Sequence, residues 1–271
     1  MNRETFVQTV SAVFDALDNH VFLPGEGISV PVLEKPLVGF AGAGDPLFEE
    51  FKEPYIIGPE FMTPKEWLED AGTAVSFFFP FTEEIRKRAG ADEAPVSETW
   101  YLGYKEKDRI VESFLDGLVS ALEREDIHYV IPTRDRERMK LRPETIVVNG
   151  VEDLHFSVSW SNRHLLYAAG MGTFGINRHI ITEKGCAGTL ASIIISAEIE
   201  PDERTYDDPY AWCTRCGACV KRCRAEAITL ENYRNLKICS AYSRTLGEQY
   251  GPGGCGNRCL MGVPCESRKP V

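Results

Sequence analysis

Cys213-Thr-Arg-Cys-Gly-Ala-Cys-Val-Lys-Arg-Cys223 is a cysteine-rich run near the carboxyl end of this 271-residue chain. Its cysteines are spaced Cys-x2-Cys-x2-Cys-x3-Cys. A tight loop with two-residue gaps turns successive thiolates toward one [4Fe-4S] cluster, while the fourth thiolate points away to a second cluster. We therefore predict that this part of the chain binds iron-sulfur clusters and transfers electrons.

A second cluster requires four further thiolates, and the chain supplies one at Cys223 and three downstream of it. The ligand rule of bacterial ferredoxins predicts two groups. The first cysteine set is Cys213, Cys216, Cys219 and Cys265, and the second cysteine set is Cys223, Cys239, Cys255 and Cys259. Two features depart from a symmetric ferredoxin: Arg224 replaces the usual proline, and the gaps between the last three cysteines are wider.

Zinc and disulfides are the alternatives for these thiols. Structural zinc sites favour separated Cys-x2-Cys pairs, and disulfide frameworks are typical of small secreted domains. The chain begins Met-Asn-Arg-Glu-Thr without an apolar signal run, so we expect a reducing cytoplasm with little oxygen. Cys186 stands apart from the others and is predicted to be a small buried thiol.

Composition limits the remaining possibilities. The chain is 43% hydrophobic and has a net charge of −11. No apolar run approaches the roughly 20 residues of a membrane-spanning helix. Because nucleic-acid binding depends on neutralising phosphates with cations, the acidic balance argues against nucleic acid as a partner. Beside the cysteine loop, positive charge favours the reduced cluster; the candidates are Lys221, Arg222 and Arg224, which can equally be solvated surface charges.

Hydrophobic periodicity predicts a mixed helix and strand core. Helices are predicted at residues 5–17, 107–124 and 162–169, and strands at 37–40, 74–79, 128–131 and 146–148, with a long apolar run at 190–199. Thr63, Pro64 and Glu66 form a capping box before a further helix. The charged stretch 200–208 predicts a boundary between a domain at residues 1–205 and a cluster domain at 206–271.

A glycine-rich stretch at residues 170–177, here called the glycine turn, contains Gly170, Gly172 and Gly175 in G-x-G-x-x-G spacing. A dinucleotide site needs a strand before these glycines and a helix after them, whereas here we expect the reverse order. The glycines instead predict a helix stop followed by a close approach of backbone to neighbouring protein or to a flat cofactor.

Residues 161–177, followed by Ile180-Ile-Thr182, the cysteine run and Lys237-Ile-Cys-Ser-Ala-Tyr242, resemble the epoxyqueuosine reductases and their relatives, the reductive dehalogenases. The resemblance covers residues 150–265 well. It implies an α+β fold, with a nitroreductase-like α/β sandwich that binds cobalamin and a carboxyl-terminal ferredoxin-like domain with two [4Fe-4S] clusters. It also implies that the glycine turn lines the corrinoid pocket through Gly170, Gly172, Thr173, Phe174, Gly175 and Asn177.

Several positions depart from that family. The stretch His155-Phe-Ser-Val-Ser-Trp160 lacks the aspartate that serves as proton donor, Ile176 replaces a lysine, and the helical-repeat tail of many tRNA-acting members is missing. These departures favour a corrinoid or a small molecule over tRNA as substrate. Candidate proton donors are His155, His164, Tyr167 and His179, although such residues are more often ordinary hydrogen-bonding groups. Trp160, Phe174 and Trp212 can line a flat cofactor or belong to the core.

Asp126-Ile-His-Tyr lacks the glycine of the cobalt-ligating D-x-H-x-x-G motif, so a bound cobalamin is expected to have no histidine ligand.

Two classes of function remain open from the sequence. In one, the protein is an oxidoreductase that passes electrons through both clusters to cobalamin, or alternatively to a flavin. In the other, it is an electron carrier or reductive activator for a separate corrinoid protein. Either class requires a redox donor protein or a small reductant as a partner.

Overall fold

The computed structural model describes residues 1–91, 97–251 and 255–271. Its helices are α1 (Arg3–Asp15), α2 (Leu47–Glu50), α3 (Pro64–Trp67), α4 (Glu83–Ala91), α5 (Glu98–Arg124), α6 (Asn162–Ala168), α7 (Ala218–Arg222) and α8 (Leu236–Tyr250). Its strands are β1 (His20–Leu23), β2 (Ile28–Pro31), β3 (Leu37–Gly42), β4 (Thr73–Pro80), β5 (Tyr129–Val130), β6 (Leu141–Val148), β7 (Val151–Val158), β8 (Gly172–Phe174), β9 (Ile180–Thr182), β10 (Gly188–Ile195), β11 (Ile228–Thr229) and β12 (Tyr233–Arg234).

The centre of the molecule is an antiparallel sheet with the strand order β3-β4-β10-β5. Every residue of β4 is buried, which explains why its sequence is a continuous apolar run and not an alternating one. Phe77 and Phe79 pack on one face against Phe114 of α5. Phe78 packs on the other face in a cluster with Leu166 of α6. The sheet is therefore covered by helices on both sides, as the α+β prediction requires.

Most of the predicted elements are present, and the boundaries of α5 show the main difference. The predicted helix begins at residue 107, whereas α5 begins at Glu98, after Ser97 caps it by accepting a hydrogen bond from the backbone N of Trp100 (3.0 Å). Lys107 is buried with its ammonium over the ring of Tyr104 (4.1 Å). The buried face of the first turns runs through Thr99, Gly103 and Lys107, which are not hydrophobic, so the hydrophobicity pattern did not extend to them.

Two other local signals have clear structural outcomes. The capping box of Thr63 and Glu66 is present, but the helix it starts is a single turn, α3. The predicted strand at 146–148 is the last part of the longer strand β6, which pairs with β7 over its whole length to form a hairpin. Asn149 and Gly150 have positive φ at its tip, which is the conformation that an Asn-Gly hairpin turn requires.

The carboxyl-terminal cysteine segment packs directly on the rest of the chain. Leu260 and Met261 belong to the same buried core cluster as Phe6 and Phe114. The hairpin strand β7 lies beside α8, the helix that carries Cys239. The division into residues 1–205 and 206–271 stays a prediction. No helix in the described ranges is both long and apolar enough to cross a membrane.

Candidate functional site

The first cysteine set lines a single cavity. Cys213, Cys216, Cys219 and Cys265 line one cavity, together with Gly175, Ile176 and Asn177 of the glycine turn. Arg215 and Gly217 have positive φ in the loop that carries three of these thiols. Desolvation, followed by the nearby Cys265, Cys213 and Cys216, raises the pKa of the Cys219 thiol to about 12. Four thiols lining one cavity are a donor set of the kind that holds an iron-sulfur cluster.

The cysteines of the second set come from distant parts of the sequence and lie near enough to influence one another's pKa. Desolvation raises the pKa of Cys259 to about 12, with smaller effects from Arg234 and from the neighbouring Cys255, Cys239 and Cys223. Burial likewise raises the pKa of Cys255. Within the described ranges, no three His, Cys, Asp or Glu side chains lie close enough for a single metal ion. The iron atoms of a [4Fe-4S] cluster occupy separate corners, so its ligands stand farther apart than those of one ion.

Cys186 is buried, as predicted, but it is not isolated. Its Sγ lies 3.7 Å from Sγ of Cys265, and its backbone N donates to the carbonyl oxygen of Cys265 (2.8 Å). The hydrogen bond to Cys265, followed by desolvation, raises the pKa of Cys186 well above its ordinary value. The sequence carried no signal for this contact because the two residues are 79 positions apart.

The glycine turn has the predicted order of elements, with α6 before it and the strand β9 after it. A Cβ at Gly172 would lie 2.1 Å from the carbonyl oxygen of Ile181. A Cβ at Gly170, where φ is +68°, would lie 2.6 Å from that of Glu203. The close approach permitted by these two glycines is therefore to neighbouring protein backbone.

Of the other residues of the glycine turn, Thr173 and Asn177 are buried against the cysteine segment, and Phe174 lies beside the aromatic side chains of α6. Thr173 is fully buried and its hydroxyl accepts a hydrogen bond from the backbone N of Trp212 (2.9 Å). Asn177 is buried and donates from Nδ2 to the carbonyl oxygen of Cys259 (2.9 Å), so it ties the turn to the second cysteine set. Phe174 is half-buried, and its ring lies 5.1 Å from the imidazole of His164 and 6.1 Å from the ring of Tyr167.

A group of neighbouring side chains adjoins the glycine turn; we call this group the recess and define it by Tyr104, Arg163, His164, Phe174 and His179. Arg163 is exposed, yet desolvation, followed by the charges of Arg234 and Arg178, lowers its pKa to about 10. Desolvation also raises the pKa of Tyr104.

The four candidate proton donors differ in their surroundings. His164 accepts or donates at Nδ1 with the hydroxyl of Ser161 (2.8 Å), and desolvation, followed by Arg163 and His155, lowers its pKa to about 3. Desolvation, followed by Arg234 and Arg163, lowers the pKa of His179 well below its usual value. Both imidazoles are therefore neutral. The remaining two donate to carbonyl oxygens: His155 to Ile57 (3.0 Å) and Tyr167 to Asp207 (3.3 Å).

Other aromatic and basic candidates are placed as follows. Trp160 is a core residue, stacked on Phe61 and bonded through Nε1 to Ser192 Oγ (2.9 Å). Trp212 lies against Tyr206 and under the ammonium of Lys269. Of the three predicted cations, Arg222 donates to the carbonyl oxygens of Arg258 and Gly90, and Lys221 is exposed.

Two residues that the sequence analysis missed connect the site. Asp153 is buried, forms an ion pair with Arg178 (2.7 Å), and accepts from the backbone N of Leu236 (2.5 Å) at the start of α8. It is the carboxylate just outside the stretch 155–160, and these bonds occupy it structurally. Arg234 donates from Nε to Sγ of Cys239 (3.1 Å). A lone charge in a hairpin or a short strand carries no sequence signal for either role.

Comparison with known proteins shows similarity at the level of structure. No protein-family model and no curated protein matches the sequence. An epoxyqueuosine reductase from Streptococcus thermophilus is 16% identical with a TM-score of 0.57, covering 100% of this chain and 68% of that one. A catabolic reductive dehalogenase in complex with 3-bromo-4-hydroxybenzoic acid is 15% identical with a TM-score of 0.52, covering 99% of this chain and 37% of that one.

A third structure is an epoxyqueuosine reductase with a tRNA-Tyr stem loop; it is 19% identical with a TM-score of 0.47 and covers 86% of this chain. This chain spans only 54% of that protein's length. The first two similarities confirm a mixed α/β fold like that of a remote relative; the two-cluster ferredoxin-like domain stays a prediction.

Proposed function

We propose that this chain, which shares the fold of epoxyqueuosine reductases and reductive dehalogenases, is a corrinoid-linked reductase. In this proposal, two [4Fe-4S] clusters held by the first and second cysteine sets pass electrons to a corrinoid in the recess. The observation that carries it is the position of the glycine turn. Gly175 to Asn177 wall the cavity of the first cysteine set, while Phe174, the preceding residue, faces the recess with His164 and Tyr167.

The arrangement of the cysteines supports a direction for electron flow. Cys216 is the exposed thiol of the first set, so a donor protein or small reductant can approach the first cluster there. Cys213, Cys219, Cys223, Cys259 and Cys265 pack around one small apolar cluster, which places the two sets side by side. The second set then adjoins the recess, because Arg234 contacts both Sγ of Cys239 and Nε2 of His179.

The recess residues have separable tasks in this proposal. A bound corrinoid would supply a strongly reducing cobalt centre. Phe174 offers a flat apolar wall, and the neutral His164 and His179 add no further charge beside Arg163. Tyr167 is the side chain at the rim whose hydroxyl can donate a proton, and desolvation raises its pKa, so it remains protonated at neutral pH.

The substrate that fits best is a small molecule or another corrinoid. A net charge of −11 opposes the approach of a polyanion, because nucleic-acid affinity depends on releasing counterions from neutralised phosphates. We therefore propose that tRNA is not the substrate, although the epoxyqueuosine reductases share this fold.

The test is an anaerobic titration of the iron-loaded protein with cob(II)alamin, followed by electron paramagnetic resonance. We expect loss of the axial nitrogen splitting at stoichiometric protein, since no histidine lies in a cobalt-ligating motif. Phe174→Ala should weaken this binding at least tenfold, while Phe22→Ala, an exposed aromatic on β1, should not.

An unchanged cobalt spectrum with intact cluster signals would reject the corrinoid. A titration with oxidised flavin would then separate a flavin-linked reductase from a two-cluster electron carrier.

A further inference from the structure

Arg234 is a half-buried arginine in an unusual position. Its guanidinium has no Asp or Glu partner within the described part of the chain, although all buried charges require compensation. Its recorded partners are the Sγ of Cys239, the Nε2 of His179 and the carbonyl oxygen of Asn177, at 3.1, 2.9 and 3.3 Å. As a cluster ligand, the thiolate of Cys239 would supply the compensating negative charge.

The three contacts make Arg234 a bridge. Its Nε contacts Cys239, a predicted ligand of the second cluster. Its Nη1 contacts the carbonyl oxygen of Asn177 in the glycine turn and Nε2 of His179 in the recess. Because a guanidinium only donates hydrogen bonds, Nε2 of His179 must accept, and the proton of the neutral ring is on Nδ1. Arg234 therefore fixes the orientation of an imidazole in the recess while it contacts the second cysteine set.

We propose that Arg234 is a positioning residue that raises the reduction potential of the second cluster and couples that cluster to the recess. This inference rests on the cluster assignment of the proposed function. A reduced cluster carries one more negative charge than the oxidised cluster, so a fixed cation and an N–H···S hydrogen bond stabilise it. The step concerned is a one-electron reduction in which no bond forms or breaks.

The test is an anaerobic redox titration of the iron-loaded protein, in which each cluster is followed by its electron paramagnetic resonance signal. Arg234→Gln removes the charge, and Arg234→Lys keeps it without the planar fork. We expect Arg234→Gln to reduce the equilibrium constant for reduction of the second cluster at least tenfold, or about 59 mV for one electron. Arg234→Lys should give a smaller shift, and the first cluster should be unchanged in both.

Lys237→Gln is the matched control. Lys237 is two positions from Cys239, but its ammonium is exposed and paired with Glu152, so solvent screens it. We expect no shift in this variant. An equal shift in Lys237→Gln and Arg234→Gln would overturn the proposal in favour of a general effect of surface charge. No shift in Arg234→Gln would overturn it directly.

The wild-type protein provides a second measurement that does not depend on the stability of a variant. When the protein is labelled with 15N-arginine and reduced, pulsed electron paramagnetic resonance should show a nitrogen coupling to the second cluster. If Arg234→Gln loses iron, the nitrogen coupling measured in the wild-type protein tests the contact between Arg234 and the second cluster instead. Absence of that coupling overturns the proposal. Absence of two clusters in the wild type would instead reject the proposed function.

Discussion

The thiol of Cys186 donates a hydrogen bond to Sγ of Cys265 across 3.7 Å, although the two residues are 79 positions apart in the sequence. The first cysteine set therefore has a fifth sulfur at its edge. Since Cys213, Cys216, Cys219 and Cys265 already line the cavity, Cys186 is expected to support a ligand and not to bind iron.

Cys186→Ala is expected to keep both clusters. Iron and acid-labile sulfide should remain at the wild-type ratio, because the cavity retains its four thiols. The electron paramagnetic resonance signal of the first cluster should change, since its ligand loses a hydrogen bond. Loss of about four irons from this variant would show that Cys186 is a ligand.

Replacing one cysteine from each set should remove one cluster at a time. Cys219→Ala is expected to lose about four irons and the signal of the first cluster, and Cys239→Ala to lose those of the second. The double variant should contain neither. If each single variant kept its full iron content, the proposed assignment of ligands would be wrong.

Alanine substitutions at three glycines should distinguish a glycine that is required because backbone lies against it from glycines that have open space around them. Gly172→Ala places a Cβ 2.1 Å from backbone and should lower the free energy of unfolding by about 3 kcal/mol. Gly247→Ala, in α8 with open space around it, should raise it by roughly 0.5 to 1 kcal/mol. Gly42→Ala, also in open space, is the control. Urea unfolding measures all three, and a tolerated Gly172→Ala would contradict the packing of β8 on β9.

Asp153→Ala should loosen α8 and with it Cys239. The substitution removes a buried partner of Arg178 and the acceptor for the first backbone N of the helix. We expect a loss of about 3 kcal/mol in the free energy of unfolding and faster loss of iron from the second cluster to a chelator. Glu152→Gln, which affects only an exposed pair with Lys237, should leave both unchanged.

Stability should fall in acid because of His164. Desolvation lowers its pKa to about 3 in the folded protein, while the unfolded chain titrates near 6.5. Between these values the unfolded state binds more protons, so stability is complete above pH 6.5 and is lost as the pH falls toward 3.

For His164→Gln, the difference in unfolding free energy between pH 7.5 and pH 5 should shrink by about 2 kcal/mol. The exposed His20→Gln is the control, and an identical pH dependence in His164→Gln and wild type would refute this role.

Much of the fold could be read from local patterns. The apolar run of β4, the amphipathic face of α5 and the helix before the glycine turn are each set by neighbours within about one or two helical turns. The hairpin of β6 and β7 was only partly predicted, although Asn149-Gly150 marks its tip, because β6 is largely exposed and β7 mostly half-buried, and neither strand has the regular alternation of a half-buried sheet.

The sequence alone predicted two groups of thiols, because the spacing of residues 213–223 limits where a short loop can direct its side chains. Only the tertiary structure decided what surrounds them. Arg234 contacts Cys239, and Cys186 contacts Cys265. The backbone of Ile181 on β9 lies so close to Gly172 that no side chain fits there. Contacts between distant residues depend on how whole elements pack, and the pattern of nearby residues does not encode which polar side chains then meet.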